Sequence, residues 1–539
     1  RRLALLALGL AVAPVGPAAT PRTGDRTAPL VSDFRVSNGG APFAGDGPLF
    51  STISPNGDGA RDRAEVTFHL SEPALVRFVV TRTRKEPVPV STQLRHLDRG
   101  RHTLFWAPAR HLNPRTYLVR VTVADEAGNS RTLGAARALG GLRRSTPVIR
   151  VLGIDAGFGR ASYAPGQLAG LSVSSDAPSL SVQLFRAGPE KVHTHADNVM
   201  NGVPVSEPLT LRWTRWRRAP HGVRLRIPAL TTGFYFAQLT APDGRVGYAP
   251  FVVRPPRLGW HRVAVVLPTY TWQAYNFRDL DGDGWGDTWY AGPPNATVRL
   301  GRPFLRRGVP PHYARYDLGF LHWLAWTGKE VDYLADSDFD RVATGAFLAR
   351  RYDLIVFAGH HEYVTERTFD LVTRYRDLGG NLAFLSANNF FWRVRESDGL
   401  LRRAALFRQV GKPESALIGV QYRANDDGRV QRPFVVRNAA AAPWLWADTG
   451  LSDGSTFGEP NGGFGIEIDA TTRDSPPGTR VLAEIPDLLG PGLTAQMTYY
   501  ETAAGARVFA AGALDFGGAA IIWPVRRILQ NLWDRLSQP

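Results

Sequence analysis

In the stretch AEVTFHL, Val66, Phe68 and Leu70 alternate with polar neighbours, and Val76, Phe78 and Val80 repeat the alternation further on. A period of two over this length predicts half-buried strands. HTLFWAP with Trp106 follows. RTYLVRVTVADEAGN then places Tyr117, Val119 and Val121 before an acidic Gly-Asn turn. A seven-strand β-sandwich of ~100 residues fits residues 48–142. Upstream, residues 20–47 are rich in Pro, Gly, Asp and Ser and read as a loose leader.

The stretch around 141–147, with Gly-Leu-Arg-Arg-Ser-Thr-Pro, reads as a linker. A second β-sandwich is expected over 148–256, with Leu171, Val173, Val182 and Leu184 facing inward and closing strands through Tyr235 and Val252-Val253. After Pro256 the pattern changes. HRVAVVLPT, YDLIVFAG and NLAFLSANN are nearly continuous apolar strands, the kind buried on both faces of a parallel sheet. Helical patterns in GFLHWLAW and TERTFDLVTRYRDLGG separate them. Strand, helix and strand in this order predict a doubly wound α/β domain over 257–539. ARVFAAG and a helix in VRRILQNLWDRL close it. Residues 411–500 read as turns and strands forming an excursion from that sheet.

The N-terminus modifies this picture. Arg1-Arg2, the apolar LALLALGLAVAPVG and small residues through Ala18-Ala19 have the form of a signal peptide over 1–19. The apolar run is shorter than the ~20 residues that span a bilayer, and no later segment has that length. Secretion or a place in the cell envelope is therefore expected, with no transmembrane segment. The sequence has no cysteine, which removes disulfides, thiol nucleophiles and thiolate-held metals. The net charge of +16 comes from arginines scattered singly, as at Arg150, Arg186, Arg254 and Arg299. Without a basic run or a nucleic-acid-binding signature, no nucleic-acid partner is expected.

DLDGDGWGDTW is the most specific motif. Asp279, Asp281 and Asp283 occupy alternate positions, the Trp285 carbonyl follows, and Asp287 comes next. Carboxylates at 1, 3 and 5 with a carbonyl at 7 match the start of an oxygen-rich Ca(2+) loop of structural type. Tyr290 stands where an EF-hand has its glutamate. An unliganded acidic turn is the alternative. SPNGDGARD, with Asn56, Asp58 and Asp62, is a weaker relative that an Asx-rich turn explains equally well.

GHHEY directly follows a buried strand, where open α/β sheets form their ligand crevice. His360 and Glu362 are two apart and share a side when extended, leaving His361 on the other. Both can ligate iron or zinc, or move protons; turn and surface roles are the rival reading. PTYTWQAYN offers Tyr270, Trp272, Gln273, Tyr275 and Asn276, and PPHYARYDLGF offers His312, Tyr313, Tyr316 and Asp317. Aromatic packing accounts for these. The alternative is phenolate ligation, which needs a hard Lewis acid such as Fe(3+) to lower a phenol pKa of ~10. Asn388 and Asn389 end the third strand, suited to hold a substrate carbonyl or water, or to cap a helix. Phosphate loops, dinucleotide fingerprints, His-Glu-x-x-His and Gly-x-Ser-x-Gly are absent.

From about 148 to 539 the chain resembles the large (beta) subunit family of N,N-dimethylformamidase. In the second sandwich YAPGQLAGLSVSSDAPSLSVQLFR carries the likeness, as do WQAYN, RLGRPF, RYDLGFLHWLAWTGKEVDYLADSD, GHHEYVT, GGNLAFLSANNFFWRV, GIEID and MTYYETAAGARVFAAG further on. The resemblance implies a glutamine-amidotransferase-like fold without its cysteine. It also implies a mononuclear ferric centre held by two tyrosines and a glutamate, with a histidine nearby. Glu362 matches the glutamate, His360 the histidine, Tyr275 the first tyrosine, and Tyr316 the second, with Tyr313 as its rival. Residues 48–142 resemble immunoglobulin-like modules of exported proteins.

Two functions are therefore expected in competition. One is an Fe(3+)-dependent hydrolase of amide C–N bonds acting on a small amide, with His360 as base or donor and Asn388 or Asn389 orienting substrate. The other is a non-catalytic surface protein binding a cell-envelope polymer through tryptophans such as Trp285 and Trp289.

Overall fold

The computed structural model describes residues 24–110, 112–134, 146–292 and 294–538. The expected signal peptide at 1–19 lies outside them, as does most of the stretch read as a linker. The protein is multidomain and mainly β. At the front, Val31–Ser37, Ala64–Leu70 and Gly100–Trp106 form one sheet, and strands including Ala74–Thr83 and Arg115–Ala124 form another. Val66, Phe68, Val76, Phe78, Trp106 and Tyr117 fill the space between them. Val31–Ser37 lies inside the stretch expected to be a loose leader. It pairs with Ala64–Leu70 through an irregular register near Asp33, whose φ is 52°, so its alternation is broken where a pattern reading would need it. Val148–Val151 also completes the front sheet, beside Phe50–Ile53 and Arg115–Leu118.

The next pair of sheets encloses Leu171, Val173, Val182, Leu184, Trp213 and Tyr235. Its Asp155–Phe158 strand faces the C-terminal body.

That body is built on a nine-stranded mixed sheet. Its strands are β1 (Val263–Leu267), β2 (Asp332–Ala335), β3 (Leu354–Phe357), β4 (Asn381–Phe384), β5 (Phe434–Val436), β6 (Thr456–Phe457), β7 (Arg480–Ile485), β8 (Ala495–Glu501) and β9 (Arg507–Ala510). The spatial order is β2-β1-β3-β4-β9-β8-β7-β5-β6. β2, β1, β3, β4 and β9 run parallel, and the rest antiparallel. Successive side chains of β1 enter opposite cores: Val263, Val265 and Leu267 one, Ala264 and Val266 the other. The second core is covered by α3 (Glu366–Asp377) through Phe369, Leu371, Val372 and Tyr375. The first is covered by α2 (Leu318–Trp326) and α4 (Val525–Leu536). Seven consecutive residues of α2, Leu318 to Leu324, are buried. The helix lies between the sheet and the second sandwich, whose Gly188 carbonyl meets His322 Nδ1 at 2.7 Å, so it has almost no wet side.

The excursion expected over 411–500 is corrected in part: β5 to β8 are this same sheet, continued antiparallel, whereas Gln421–Asn425 with Glu467–Ala470 and Gln431–Arg432 with Phe464–Gly465 pair outside it. Leu482, Ile485, Met497 and Tyr499 join the first core. The short β5 and β6, broken by Gly and Pro turns, hid this continuity. Among the described residues, no helix is long and apolar enough to cross a membrane.

Candidate active site

Three parallel strands deliver the site. β1 runs through Pro268 into α1 (Thr269–Ala274), whose C-cap is Tyr275. β3 ends at Phe357 and leads through Ala358-Gly359 into His360-His361-Glu362. β4 leads into Ser386 to Asn389. Gly359 is dictated by space: a Cβ there would lie 2.0 Å from Asp317 Oδ1 and 3.1 Å from Pro268 Cγ. The loop after β3 can therefore press against the start of α1 and the Asp317 carboxyl.

The Tyr275 hydroxyl donates to Glu362 Oε2 at 2.7 Å. The Tyr290 hydroxyl lies 3.1 and 3.0 Å from the two Glu362 oxygens, 3.0 Å from Tyr275 and 2.5 Å from the Tyr363 hydroxyl. His360 Nε2 stands 3.4 Å from Glu362 and 3.6 Å from Glu467. Its Nδ1 faces the Ala387 carbonyl at 3.2 Å. A carbonyl only accepts, so Nδ1 carries hydrogen and Nε2 is left to the acids; that buried Nε2 has no hydrogen-bond partner. The Asn388 side-chain amide donates to Glu467 Oε2 at 2.7 Å, and its backbone N–H is shared by the Asp469 oxygens at 2.9 and 3.0 Å. Glu362 and His360 are buried, whereas Tyr275, Tyr290 and Glu467 are half-buried and leave the cluster a wet side.

The charges are strongly coupled. Burial, then the Glu362 carboxylate, pushes the Tyr275 and Tyr290 phenols well above their ordinary range. Burial raises Tyr316 too, followed by Glu467. Burial lifts Glu467 to about 7, against the pull of His360, and Asp469 also to about 7. Burial opposes the charge on His360, but Glu467 and Glu362 outweigh it and hold the imidazole at about 9.

Of the residues expected here, Tyr275, His360, Glu362 and Asn388 come together. Tyr316 reaches the same histidine, with its ring 6.4 Å from that of His360 and stacked on His312 at 5.1 Å. It packs against Ala387, Ile466 and Leu514. Its rival Tyr313 turns into the first core, 5.5 Å from Phe234, and its hydroxyl is buried without a partner. His361 takes the other side, edge-on to Phe357, and burial lowers it to about 3. Asn389 accepts from the His361 backbone N–H at 3.2 Å and so holds the loop. The helix-cap reading of Asn388 and Asn389 is corrected, because the strand Trp392–Ser397 follows them and not a helix. Tyr270, Trp272 and Gln273 bond to Asp340, Asp317 and the Arg302 carbonyl, as packing residues do.

Glu467, Asp469, Tyr290 and Tyr363 were not foreseen. Glu467 and Asp469 alternate within GIEID, a pattern too short to single out. Tyr290 was noted only as the residue replacing an EF-hand glutamate.

In the acidic loop, carboxylate oxygens of Asp279, Asp281 and Asp283 lie within 4.8 Å of one another. Asp279 accepts from the backbone of Gly282 and Gly284 and from the Thr116 hydroxyl at 2.6 Å. Burial and the three neighbouring aspartates raise it to about 7, against that Thr116 bond. Asp287 turns back to the Leu280 N–H and to Asn295. Trp285 packs on Leu118 and Val148, and Trp289 lies 4.8 Å from Tyr363. Both indoles are buried, which corrects the expectation of exposed polymer-binding tryptophans. In SPNGDG the Asx-turn reading is realised: Asp62 accepts from Gly57 and Gly59, and Asp58 from Ala60.

The fold and site define a multidomain, mainly β protein with a buried phenol–carboxylate–imidazole centre at the ends of parallel strands. The chain belongs to the family described as N,N-dimethylformamidase beta subunit-like, C-terminal, which matches residues 185–521. The N,N-dimethylformamidase beta subunit of Paracoccus aminophilus is 24% identical over 259 residues, 38% of this chain and 34% of that protein. That of an Alcaligenes sp is 28% identical over 152 residues, 28% of this chain and 19% of that protein. The match thus spans about a third or less of either relative's length. Among solved structures, an E. coli alpha-2-macroglobulin overlaps 42% of this chain and 16% of its own at 12% identity, with a TM-score of 0.24.

Proposed function

We propose that the chain hydrolyses the C–N bond of a small amide at a centre holding ferric iron. The name of its relatives supports the bond type. The observation that carries the reading is the Tyr275–Glu362 contact beside His360, with Tyr316 against the same imidazole. Tyr275, Tyr316 and Glu362 would hold the ion. Two phenols and a carboxylate are hard donors, and His360 Nε2, buried between Glu362 and Glu467 without a hydrogen bond, fits a site that faces a further group. Bound there, ferric iron supplies Lewis acidity toward the carbonyl oxygen and toward water.

The chain's own residues do the rest. Asn388 holds Glu467 at 3.6 Å from His360, where its carboxylate takes a proton as water oxygen bonds to the carbonyl carbon. The C–N bond breaks with its electron pair on nitrogen, which takes a proton from His360. Glu467 then returns a proton to the imidazole. The products are a carboxylic acid and an amine. Elemental analysis of purified protein, followed by amine release from a panel of small amides with and without added iron, tests this. Protein that takes up no iron, or that releases no amine once loaded, overturns it.

Further readings belong with this one. The mutual approach of Asp279, Asp281 and Asp283 supports a structural calcium loop. The paired front sheets support an immunoglobulin-like module. The helices on both faces of the parallel strands support a doubly wound, amidotransferase-like domain. The pattern of residues 1–19 supports export to the envelope.

A further inference from the structure

Tyr290 reaches the site on a segment that the front sandwich grips at both ends. At one end, the Thr83 hydroxyl donates to the Gly284 carbonyl at 2.5 Å. Gly284 has a φ of 88°, and a Cβ there would lie 2.3 Å from Leu118. At the other end, the Gly292 N–H donates to the Arg84 carbonyl at 3.2 Å. A Cβ on Gly292 would lie 2.3 Å from the Lys85 carbonyl oxygen, so only glycine allows this approach. Between the two grips, Trp285 is buried against Leu118 and Val148. Just upstream, Thr116 donates to Asp279. Thr83, Arg84, Thr116, Leu118 and Val148 all precede residue 185, where the family match begins. These grips thus come from outside the part of the chain the family shares, and they add to those within it, where Thr288 donates to the Ala274 carbonyl and Arg302 to the Asp287 carbonyl at 2.8 Å.

At the far end of the lever, a phenol has one proton to donate. The Tyr290 proton is offered to Glu362 Oε2 and to the Tyr275 oxygen, each at 3.0 Å, so the Tyr363 hydroxyl supplies the proton in its 2.5 Å contact with Tyr290. The Tyr290 ring lies on that of Tyr275, centroids 4.5 Å apart. Its hydroxyl can therefore fix how the Glu362 carboxylate is turned, and with it the acid's line toward Tyr275.

We propose that the front sandwich is part of the site's scaffold: through Thr83 and Thr116 it holds the acidic loop so that Tyr290 meets Glu362, and Tyr290 is a positioning residue for that carboxylate. The role in iron binding rests on the function proposed above; the mechanical link does not.

Two measurements on the full chain separate these. The first is hydrogen exchange without metal. The pair Thr83→Val with Thr116→Val is expected to speed exchange across 285–292 and in the 360–363 loop, while Thr83→Ser with Thr116→Ser, which keeps both hydroxyls, behaves as wild type. If the valine pair fails to fold, Thr116→Val alone serves. Unchanged exchange across 285–292 in the valine variant overturns the proposal. The second is titration with ferric iron alone, read by the phenolate–iron absorption band. Tyr290→Phe is expected to shift the band and weaken iron binding roughly tenfold, in the range seen when a ligand's supporting partner is removed. The valine pair should shift both the same way, and adding Tyr290→Phe to it should add little. A Tyr290→Phe protein with wild-type band and affinity overturns the positioning role. A wild type that takes up no iron defeats the proposed function instead, and exchange at 360–363 in Tyr290→Phe then decides the positioning role: wild-type exchange there overturns it.

Discussion

The Tyr275 hydroxyl stands 2.7 Å from Glu362 Oε2, although 87 positions separate the two residues. β1 and β3 are hydrogen-bonded neighbours, and each sends its loop to the same end of the sheet. Removing either member should therefore dismantle the centre. Glu362→Gln and Tyr275→Phe are each expected to lower iron content and to cut kcat/KM by about 100-fold or more, the scale on which a group stabilising developing charge acts. Metal analysis with amide-hydrolysis kinetics checks this, and full iron loading with unchanged kcat/KM in both variants counts against the centre.

Glu467 plays a different part, because it reaches His360 and Asn388 but no tyrosine hydroxyl by a hydrogen bond. Glu467→Gln should retain iron and lose about 100-fold in kcat, as removal of a general base does. Asn388→Ala should lose less, since it acts by holding that acid. Iron lost along with activity in Glu467→Gln would make the residue a ligand instead.

Glu190 offers a pH test away from the centre. Its Oε1 is buried without a hydrogen bond, 3.9 Å from His322 Nε2. Burial raises its pKa to about 7, against the backbone N–H groups of Glu190 and Gly188. An unfolded glutamate titrates near ~4.3. Between these values the folded chain keeps a proton that the unfolded chain has released, so this group's contribution to stability is full below ~4.3 and lost as pH rises toward 7. Glu190→Gln removes that slope. Thermal unfolding across this range should show the variant gaining on wild type as pH rises, with the gain levelling off above pH 7. Parallel curves would refute it.

Gly359 is a steric prediction. Alanine there places a methyl 2.0 Å from the Asp317 carboxyl, so Gly359→Ala should destabilise the protein by about 1–3 kcal/mol, as overpacking does. It should also displace His360 and Glu362 and so lower activity. Denaturant unfolding reads the first effect and kinetics the second; a stable, fully active variant would mean that the loop moves freely.

The acidic loop makes a ligand prediction. If Asp279, Asp281 and Asp283 hold calcium as proposed, the ion would stabilise the fold by about 2.7 kcal/mol at a hundred times its Kd. Calcium should raise Tm and a chelator lower it, with Asp281→Asn blunting the response. Identical melting with calcium and with chelator rules the site out.

Parts of this arrangement are local and so readable from the chain. Alternation put Val66, Phe68, Val76 and Phe78 into one core, and continuous apolar runs marked β1, β3 and β4. The two-residue spacing of His360 and Glu362 placed them on one side with His361 opposite. Other parts were not local. Tyr313 and Tyr316 share one short turn, and no periodicity distinguishes the phenol that enters the core from the one that meets His360. Glu467 lies in a four-residue strand whose neighbour in space is Asn388.

By itself, the sequence determined which segments become buried strands and which side chains leave them together, because backbone geometry repeats every two or 3.6 residues. The order of strands across the sheet, the turning of Tyr313 into the core while Tyr316 meets His360, and the arrival of Glu467 and Tyr290 were decided only by tertiary structure. These depend on how separate elements pack: α1, the β3 loop and the front sandwich must each be in place before the Tyr290 and Glu467 side chains share one small volume.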